Sequence, residues 1–479
     1  MYYPYTSYNF TCNIRLKKGT IVSERSEKMD TSVMITLEDL KSLIRYKKIS
    51  QLREIFEEYN VVDMSELVGE LELQEALFVF KTLKKDITSQ IFAYLPHDKQ
   101  EKLIQMFTGP QIKEMLDSLY DDDIIEFIED MPANIVQHVL QNASPQQRVE
   151  INQLLRYAES SAGSIMSTNF VVLKETDTIP VAFRKIKEQG ETAETINYCY
   201  ITDERRVLRG VVTLRNLLLS NQVEPVSEIM DTDLVYVTTK DDQEDVAKLF
   251  EKYDITVIPV VNDDNCLVGI VTVDDIIDVI HEEATEDIHK MSAITPIDKT
   301  YLDTSVWEMS KSRIVWLLIL MISATFTGQI MTNYETMLQA NVTLSIFIPM
   351  LMDTAGNAGS QASTMVIRAL ATGELKTSDM MKIWWKELRI ALICGAIMGI
   401  VNFLRILILM GSVDFMTSSI ISLTVFLTLG MAKLVGCTLP VIAQKLKLDP
   451  AVMAGPLITT VVDALSLVVY FQLATYFVL

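Results

Sequence analysis

Paired cysteines are missing from this 479-residue chain. No two of its cysteines have the spacing of a CxxC motif, and they lie scattered at Cys12, Cys199, Cys266, Cys394 and Cys437. This pattern excludes a disulfide framework and the usual zinc sites, and it predicts a reducing compartment for the first half of the chain. The G-x-x-x-x-G-K-[ST] phosphate-binding loop of ATPases is absent too. Since no nucleophile–base pair or metal-ligand triad emerges either, we expect a protein that is not an enzyme.

Basic residues are scarce in the first 311 positions, which carry 32 Lys and Arg against 55 Asp and Glu. This deficit argues against nucleic acid as a partner, because phosphate binding needs an excess of Lys and Arg. An acidic surface suits small cations, although it also serves simply to keep a protein soluble. Residues 312–479 hold ten basic and eight acidic residues and are therefore nearly neutral. The chain thus divides into an acidic soluble region and an apolar one.

The apolar region contains five segments long enough to cross a bilayer, which takes about 20 residues each. They are 314–332, 342–367, 390–411, 416–440 and 451–478. The connections around 333–341 and 411–415 carry no Lys or Arg, whereas the other two connections are basic. The positive-inside rule then predicts a multi-pass protein of the cell membrane, in contact with lipid, with cytosolic N-terminal domains and an outside C-terminus.

One apolar segment is interrupted by polar residues in the stretch PMLMDTAGNAGSQAST, residues 349–364. Pro349, Gly356 and Gly359 predict a broken or loosened helix, which a membrane tolerates where the backbone lines a water-filled cavity. Asp353 in the same stretch is equally compatible with a position in a pore and with one near its outer mouth.

The last apolar segment carries a lone acid, Asp463, about 18 Å into a core of about 30 Å. A charge at that depth costs at least ~2.5 kcal/mol unless it faces water or a cation, so we predict that Asp463 is functional. Arg405 and Lys433 lie near the ends of their segments, where they can snorkel to the interface, and we assign them no function. No Lys or Arg is then deep enough to pair with Asp463.

The groups around Asp463 are carboxylate, hydroxyl, amide and carbonyl oxygens, which suit hard divalent cations such as Mg²⁺. Because Mg²⁺ sheds its water reluctantly, one carboxylate per chain could hold it while it remains hydrated. Five membrane segments per chain fit a pore on a two-fold axis, so we predict a homodimer.

The soluble region begins with short amphipathic helices from Leu37 to about residue 157, recognised by apolar residues at i, i+3, i+4 and i+7. Such helices must stack to bury their apolar faces, which predicts an α-superhelix. Nothing periodic precedes Leu37, and the N-terminus lacks the charged-then-apolar order of a signal peptide. Residues 1–30 are therefore expected to form a disordered leader.

An α/β unit is duplicated between residues 161 and about 285, with SIMSTNFVVL repeated as EIMDTDLVYV 64 residues later. Each copy predicts the order strand, helix, strand, strand, helix. The pair resembles a tandem cystathionine-β-synthase (CBS) domain, a regulatory module that often binds adenine nucleotides. That resemblance implies an ATP site at Gly269, Thr272 and Asp275 of the second copy, while the first copy lacks the matching acids.

An acidic helix follows the second copy, in VDDIIDVIHEEATEDIHK. Its acids fall on two adjoining faces, one with Asp275, Asp278, Glu282 and Glu286 and the other with Glu283, Glu286 and Asp287. Like charges at this spacing repel one another. A solvated face is one reading; we favour cations that bridge these acids to the patch at 121–123 and hold the soluble domains together.

These features together resemble the MgtE family of magnesium channels and transporters over nearly the whole chain, from about residue 37 to the end. The motifs that carry the resemblance are PMLMDTAGNAGSQAS, EATEDIHK and GPLITTVVD. The resemblance implies a multi-domain protein: an α-superhelical N domain at 31–158, the CBS pair at 159–286, a plug helix at 287–311 and a five-helix transmembrane domain at 312–479.

The resemblance also implies roles for individual residues. The pore acid falls on Asp463, flanked by Gly356, Asn357, Gly455 and Thr459. The cytosolic Mg²⁺-sensing acids fall on Asp254, Asp275, Asp278, Glu283, Glu286 and Asp287, with Asp242, Asp122 and Asp123 as further candidates. Family members are homodimers that close at high cytosolic Mg²⁺, which implies that the plug helix is the gate.

We therefore predict a Mg²⁺-selective homodimeric channel that imports Mg²⁺ down the membrane potential, which contributes about 2.3 kcal/mol per charge per 100 mV. Two alternatives remain open: a carrier for other divalent cations such as Mn²⁺ or Co²⁺, and a membrane-anchored CBS nucleotide sensor that transports nothing. The midspan Asp463 argues against the sensor, because a mere anchor has no use for it.

Overall fold

The computed structural model describes residues 35–129, 131–297, 301–302, 304–410 and 413–478. The expected leader at 1–30 lies outside the described residues. The chain divides into two compact units, residues 1–99 and 100–479. Each unit is described by itself.

Five short helices make up the described part of the first unit. They are α1 (Leu37–Arg45), α2 (Ile49–Glu58), α3 (Val61–Gly69), α4 (Leu73–Thr82) and α5 (Lys85–Ala93). Thr36 and Asp39 form a capping box at the start of α1, which satisfies amide groups that the helix leaves unpaired. Each helix buries one apolar face, for example Leu52 and Phe56 of α2. Their stacking agrees with the predicted serial helices.

The second unit begins at Gln100, inside α6, and it contains the rest of the helical series. The helices are α6 (His97–Met106), α7 (Gly109–Leu116), α8 (Asp121–Glu129), α9 (Ala133–Asn142) and α10 (Pro145–Leu154). Helix α8 buries Ile124, Ile125, Phe127 and Ile128. Its three aspartates occupy the first turn, where the helix dipole favours negative charge.

The duplicated α/β unit forms two three-stranded sheets. The first contains β1 (Phe170–Lys174), β2 (Thr195–Thr202) and β3 (Leu208–Thr213), with α11 (Ile179–Gln189) and α12 (Leu214–Leu219). The second contains β4 (Val237–Thr238), β5 (Val257–Val261) and β6 (Leu267–Thr272), with α13 (Gln243–Tyr253) and α14 (Val273–Met291). In each sheet the first two strands are parallel and the last two antiparallel. The predicted duplication is confirmed.

Helix α14 ends well before the next long helix begins, so the expectation of one plug helix over 287–311 is wrong. The helix stops at Met291, and Ser292 caps it. Ala293 follows with a positive φ of 54°, a conformation that ends a helix. Pro296 lacks an amide donor and disfavours helix in the residue before it. The next helix starts only at Val306.

Five long helices and one short helix complete the unit. They are α15 (Val306–Asn333), α16 (Glu335–Ala340), α17 (Thr343–Ala371), α18 (Met380–Leu409), α19 (Phe415–Lys445) and α20 (Gly455–Val478). Four of them, α15, α18, α19 and α20, are long and apolar enough to cross a membrane. The exception is α17, whose sequence contains the polar stretch. All five predicted membrane segments coincide with long helices.

Helix α17 is continuous, so the predicted break at Pro349, Gly356 and Gly359 is wrong. The glycines instead allow close packing. A Cβ built on Gly436 of α19 would lie only 2.2 Å from the carbonyl oxygen of Gly359, so the two backbones touch there. Gly359 also faces Ile458 and Val462 of α20. Helix α17 is thereby wedged between α19 and α20.

We expect Gly436→Ala to destabilise the transmembrane region, because the new methyl group would overlap the backbone of α17 and overpacking costs about 1–3 kcal/mol. Gly430→Ala is the matched control, since it lies on the same helix and a Cβ added there would have no neighbouring atom within 4 Å. Thermal unfolding in detergent measures both. Equal melting temperatures for the two variants would contradict the close helix contact.

Candidate pore and acidic clusters

Asp463 lies on α20 against the glycine face of α17. A Cβ built on Gly356 would lie 3.4 Å from Asp463 Oδ1 and 3.2 Å from Thr459 Cγ2. The absence of a side chain at Gly356 therefore keeps one side of the carboxylate open. The hydroxyl of Thr459 donates to the carbonyl of Pro456 at 2.9 Å, which leaves its methyl group facing Gly356.

The carboxylate of Asp463 is half-buried and has no neutralising partner among the described residues. Within the described part of the chain, the charge that acts on it is the negative charge of Asp353, so the two acids repel each other. In a membrane such an arrangement is stable only if water or a cation offsets it. Asp353 is thus placed near Asp463.

A line of polar side chains continues from this site along α17. Asp353, Asn357, Gln361 and Thr364 are all exposed on the protomer, and their spacing of four, four and three residues puts them on one helix face. We call these four residues the polar stripe. Together with Asp463 they present carboxylate, amide and hydroxyl oxygens and no softer ligand.

Lys433 does not snorkel to the membrane surface, so that expectation is wrong. It is 6% exposed, and its ammonium lies 3.8 Å from Glu387 Oε2 of α18, which is itself 9% exposed. The reason is that α19 is central in the bundle and packs against α17, α18 and α20. Arg405, by contrast, donates to Asn402 Oδ1 at 2.9 Å. The transmembrane region therefore contains a buried lysine, but this lysine pairs with Glu387 and not with Asp463.

Gly455 opens α20 and touches the end of α14. Its φ is +45°, and a Cβ there would lie 2.4 Å from the carbonyl oxygen of Met291. The side chain of Met291 packs on Ile367, Ala451 and Ala454. Gly455 is therefore not beside Asp463; it connects the soluble helix α14 to the start of the helix that carries Asp463.

The acids at the start of α14 meet those of α8. Asp122, Asp123 and Glu126 of α8 face Asp275 of α14 and Glu194, which precedes β2. We call these five residues, with Asp274, Asp278 and Glu282, the first acidic cluster. Helix α8 is held there by hydrogen bonds: Thr168 donates its hydroxyl to Asp121, and the Asp121 amide donates to Asn169 Oδ1 at 3.2 Å.

Burial, together with crowding of like charges, raises the pKa values in the first acidic cluster. Burial and then the charges of Glu194 and Asp275 raise the pKa of Asp122 well above its usual range. Burial and the charge of Asp275 raise the pKa of Glu194 to about 7. Burial raises the pKa of Asp275 to about 6, although its hydrogen bonds with Thr272 oppose the shift. Burial of its carboxylate and the charge of Asp123 raise the pKa of Glu126 to about 7.

The acids near the end of α14 form a second group beside the start of α13 and the turn before α20. We call Asp242, Glu244, Glu283, Glu286, Asp287 and Asp449 the second acidic cluster. Burial, followed by the charges of Asp449 and Glu244, raises the pKa of Asp287 to about 6. Lys290 Nζ lies 2.7 Å from Glu286 and 2.6 Å from Asp449. Glu283 accepts a hydrogen bond of 2.8 Å from Gln243.

Three expected positions lie elsewhere or are already engaged. Asp254 ends α13 in a left-handed conformation, exposed, and is not among the charges that act on either cluster. Gly269 packs against Met166, where a Cβ would lie 2.6 Å from the sulfur. Thr272 donates to Asp275 Oδ2 at 2.6 Å, so these two residues of the expected nucleotide site form the cap of α14.

No group of three or more carboxylate, histidine or cysteine side chains lies close enough to hold a metal ion within the part of the chain that the structure describes. The clusters therefore offer charge and oxygen atoms without a closed coordination shell. This fits Mg²⁺, which keeps several of its waters and takes only one or two carboxylates directly.

Sequence reasoning missed Glu126, Glu194, Glu244 and Asp449. Glu126 follows Asp122 by four residues on α8 and could have been found by helical spacing. Glu194, Glu244 and Asp449 come from other segments, and only folding brings them to α14. No local signal distinguishes these three from ordinary surface acids.

Comparisons with known proteins agree with this architecture. A family model described as a divalent cation transporter, MgtE, matches residues 348–473, the MgtE intracellular N domain matches 59–160, and CBS domains match 162–220 and 226–282. The magnesium transporter MgtE of Thermus thermophilus is 34% identical and covers 88% of this chain and 94% of that protein. The MgtE of Bacillus subtilis is 33% identical, covering 91% and 96%. A crystal structure of the cytosolic domain of the Mg²⁺ channel MgtE in complex with ATP is 33% identical, with a TM-score of 0.48, and covers 51% of this chain and 100% of that one.

The raised pKa values predict a pH dependence of stability in the absence of metal. Glu194 has its ordinary pKa of 4.5 in the unfolded chain and about 7 in the folded chain. Its stabilising contribution is therefore full below about pH 4.5 and is lost as the pH rises through about 7. With chelator present, we expect a higher melting temperature at about pH 5.5 than at about pH 8.

Glu194→Gln should shrink this difference, because the amide does not titrate. Asp263→Asn is the control, since Asp263 is exposed, pairs with Lys240 and is not among the charges that raise the pKa of Glu194. A pH dependence that is unchanged in Glu194→Gln would contradict the assignment.

Proposed function

The chain belongs to the MgtE family of magnesium transporters, and we propose that it conducts Mg²⁺ through a pore built between two copies of itself. The family model is that of a divalent cation transporter, and four of the chain's long helices are apolar enough to cross a membrane. The proposal rests above all on one observation: the unneutralised Asp463 beside Gly356, at one end of an exposed polar stripe.

The polar stripe supports a dimer. Exposed carboxylate and amide groups on a membrane helix are costly in contact with lipid, so they face water or another protein surface. A second copy, related by a two-fold axis, would cover the stripe and bring a second Asp463 to the same channel. Two carboxylates facing each other then attract a divalent cation that retains its water. The membrane potential drives this cation inward.

In the proposed membrane orientation, the soluble domains lie in the cytosol and the C-terminus lies outside the cell. The connection between α17 and α18 and the start of α18 carry Lys376, Lys382, Lys386 and Arg389, as expected for the cytosolic side. Import then delivers Mg²⁺ to the side on which both acidic clusters lie.

Closure by cytosolic Mg²⁺ follows from the repulsion within the two clusters. Mg²⁺ would bind between α8, α14 and Glu194 in the first acidic cluster, and between α13, α14 and Asp449 in the second. Binding there offsets the like charges and holds α14 in place. The end of α14 meets Gly455, so this state also fixes the start of the helix that carries Asp463. Loss of Mg²⁺ restores the repulsion, releases α14 and opens the pore.

ATP is proposed as a second ligand of the CBS pair, near Gly269, Thr272 and Asp275. These residues lie at the end of β6 and the start of α14, next to the first acidic cluster. A bound nucleotide there would act on the same helix as Mg²⁺. Equilibrium dialysis of the full chain with ATP, with Thr272→Ala as the comparison, measures this directly; no uptake by the native protein would remove ATP from the proposal.

We expect Asp463→Asn to reduce Mg²⁺ influx into vesicles by about tenfold or more, because an interaction with a charged group contributes about 1.5–3 kcal/mol. Glu374→Gln is the matched control: it removes the same charge from an exposed loop residue outside the polar stripe. Influx of Mn²⁺ and Co²⁺ is measured alongside. Unchanged Mg²⁺ influx in Asp463→Asn contradicts the pore, and equal influx of all three metals in the native protein favours a general divalent carrier.

For closure, we expect millimolar Mg²⁺ to protect the segment between β6 and α15 from proteolysis, since the ion holds α14 in place. Asp275→Asn combined with Asp287→Asn should require roughly tenfold more Mg²⁺, as each removes a ligand charge of one cluster. Asp263→Asn serves again as the control. Native protein that is cleaved equally with and without Mg²⁺ would refute the sensing role of the clusters.

A further inference from the structure

An ion pair lies inside the transmembrane region, away from the pore site. Lys433 of α19 and Glu387 of α18 approach to 3.8 Å and are almost completely buried, at 6% and 9% exposure. Glu387 Oε2 makes no hydrogen bond within the described residues. Charge attraction, and not hydrogen bonding, therefore connects the two side chains.

Both residues lie within the helices and away from their ends. At 1.5 Å per residue, Lys433 is about 18 Å before the end of α19, and Glu387 is about 10 Å after the start of α18. The same two helices are joined nearby, where Trp384 donates its indole N–H to Thr438 at 2.8 Å. A buried ion pair is weak evidence for stability, because the loss of hydration offsets most of the attraction. Stability alone therefore does not account for the pair.

The orientation of α19 decides how α17 packs. On the side of α19 that faces α17, the Ala432 carbonyl and Gly436 bear directly on Gly359. These residues are one before and three after Lys433. Because α19 is apolar around most of its circumference, apolar packing alone selects no single rotation of the helix. The ion pair between Lys433 and Glu387 of α18 would select one rotation, in which the glycine side of α19 faces α17.

A rotation of α19 would affect the pore site through a short series of contacts. Gly359 and Gly356 are one turn apart on α17, and Gly356 faces Asp463. A rotation of α19 would bring a side chain against Gly359 and push α17 relative to α20. The distance between Asp463 and α17 would change with it. Ions that pass this point would then meet a channel of different width.

We propose that Lys433 and Glu387 are a positioning pair that fixes the rotation of α19 and thereby sets which hydrated cation passes Asp463. This inference rests on the proposed function. The pair contacts no transported ion in the proposal. It acts through the contact between Gly436 and Gly359, and its effect is on selectivity.

The decisive variant is the double substitution Lys433→Met with Glu387→Met, studied as the full chain in lipid vesicles. Apolar replacement of both partners of a buried pair commonly preserves folding, but flexible methionines impose no rotation. We expect the ratio of Mg²⁺ to Ca²⁺ influx, per folded protein, to fall about tenfold, within the range that packed side chains transmit between sites. The exchanged pair, Lys433→Glu with Glu387→Lys, should keep a ratio close to that of the native protein.

The control is Asp379→Asn, which breaks the ion pair with the exposed Lys382 at the start of α18 and should leave the ratio unchanged. The proposal is overturned if the double methionine variant keeps the native ratio of Mg²⁺ to Ca²⁺ influx. It is also overturned if the variants differ from the native protein only in the yield of folded protein. Failure of the native protein itself to import Mg²⁺ is a separate result, which overturns the proposed function instead.

Discussion

A carboxylate that is withdrawn from water must meet a positive charge, and most of this protein can be understood from that constraint. Asp463 lies in a transmembrane helix beside a glycine, where the negative charge of Asp353 repels it. The two acidic clusters repeat the arrangement in the soluble region, where burial and mutual repulsion raise the pKa values of Asp275 and Asp287 to about 6. In the proposed function, a divalent cation would offset this repulsion in each place.

Glu387 shows the opposite solution to the same constraint. Its charge is matched by Lys433 from within the chain, so no external cation is required there. The contrast separates two kinds of intramembrane acid. Glu387 is paired with a basic residue of the chain, whereas Asp463 has no such partner among the described residues. This contrast also explains why the buried lysine of the transmembrane region does not neutralise Asp463.

Backbone contacts at glycine connect these charged sites to one another. Gly436 and Gly359 let α19 and α17 touch, Gly356 leaves room beside Asp463, and Gly455 receives the end of α14. Lys290 adds an ion pair between α14 and Asp449. Through these contacts, α14, which carries acids of both clusters, is joined to the first turn of the helix that carries Asp463.

The sequence by itself determined the features that depend on local pattern. Hydropathy located the five long helices, repetition located the CBS pair, and the depth of Asp463 in its segment marked it as a candidate pore residue. Helical spacing also grouped the acids of α14. Only the tertiary structure decided that α17 is continuous, that α14 ends at Met291, and that Glu194 and Asp449 join the acids of α14. It alone paired Lys433 with Glu387. The reason is physical: hydropathy and helical period act between near neighbours in the chain, whereas the partner of a buried charge or a glycine surface is set by segments that meet only after folding.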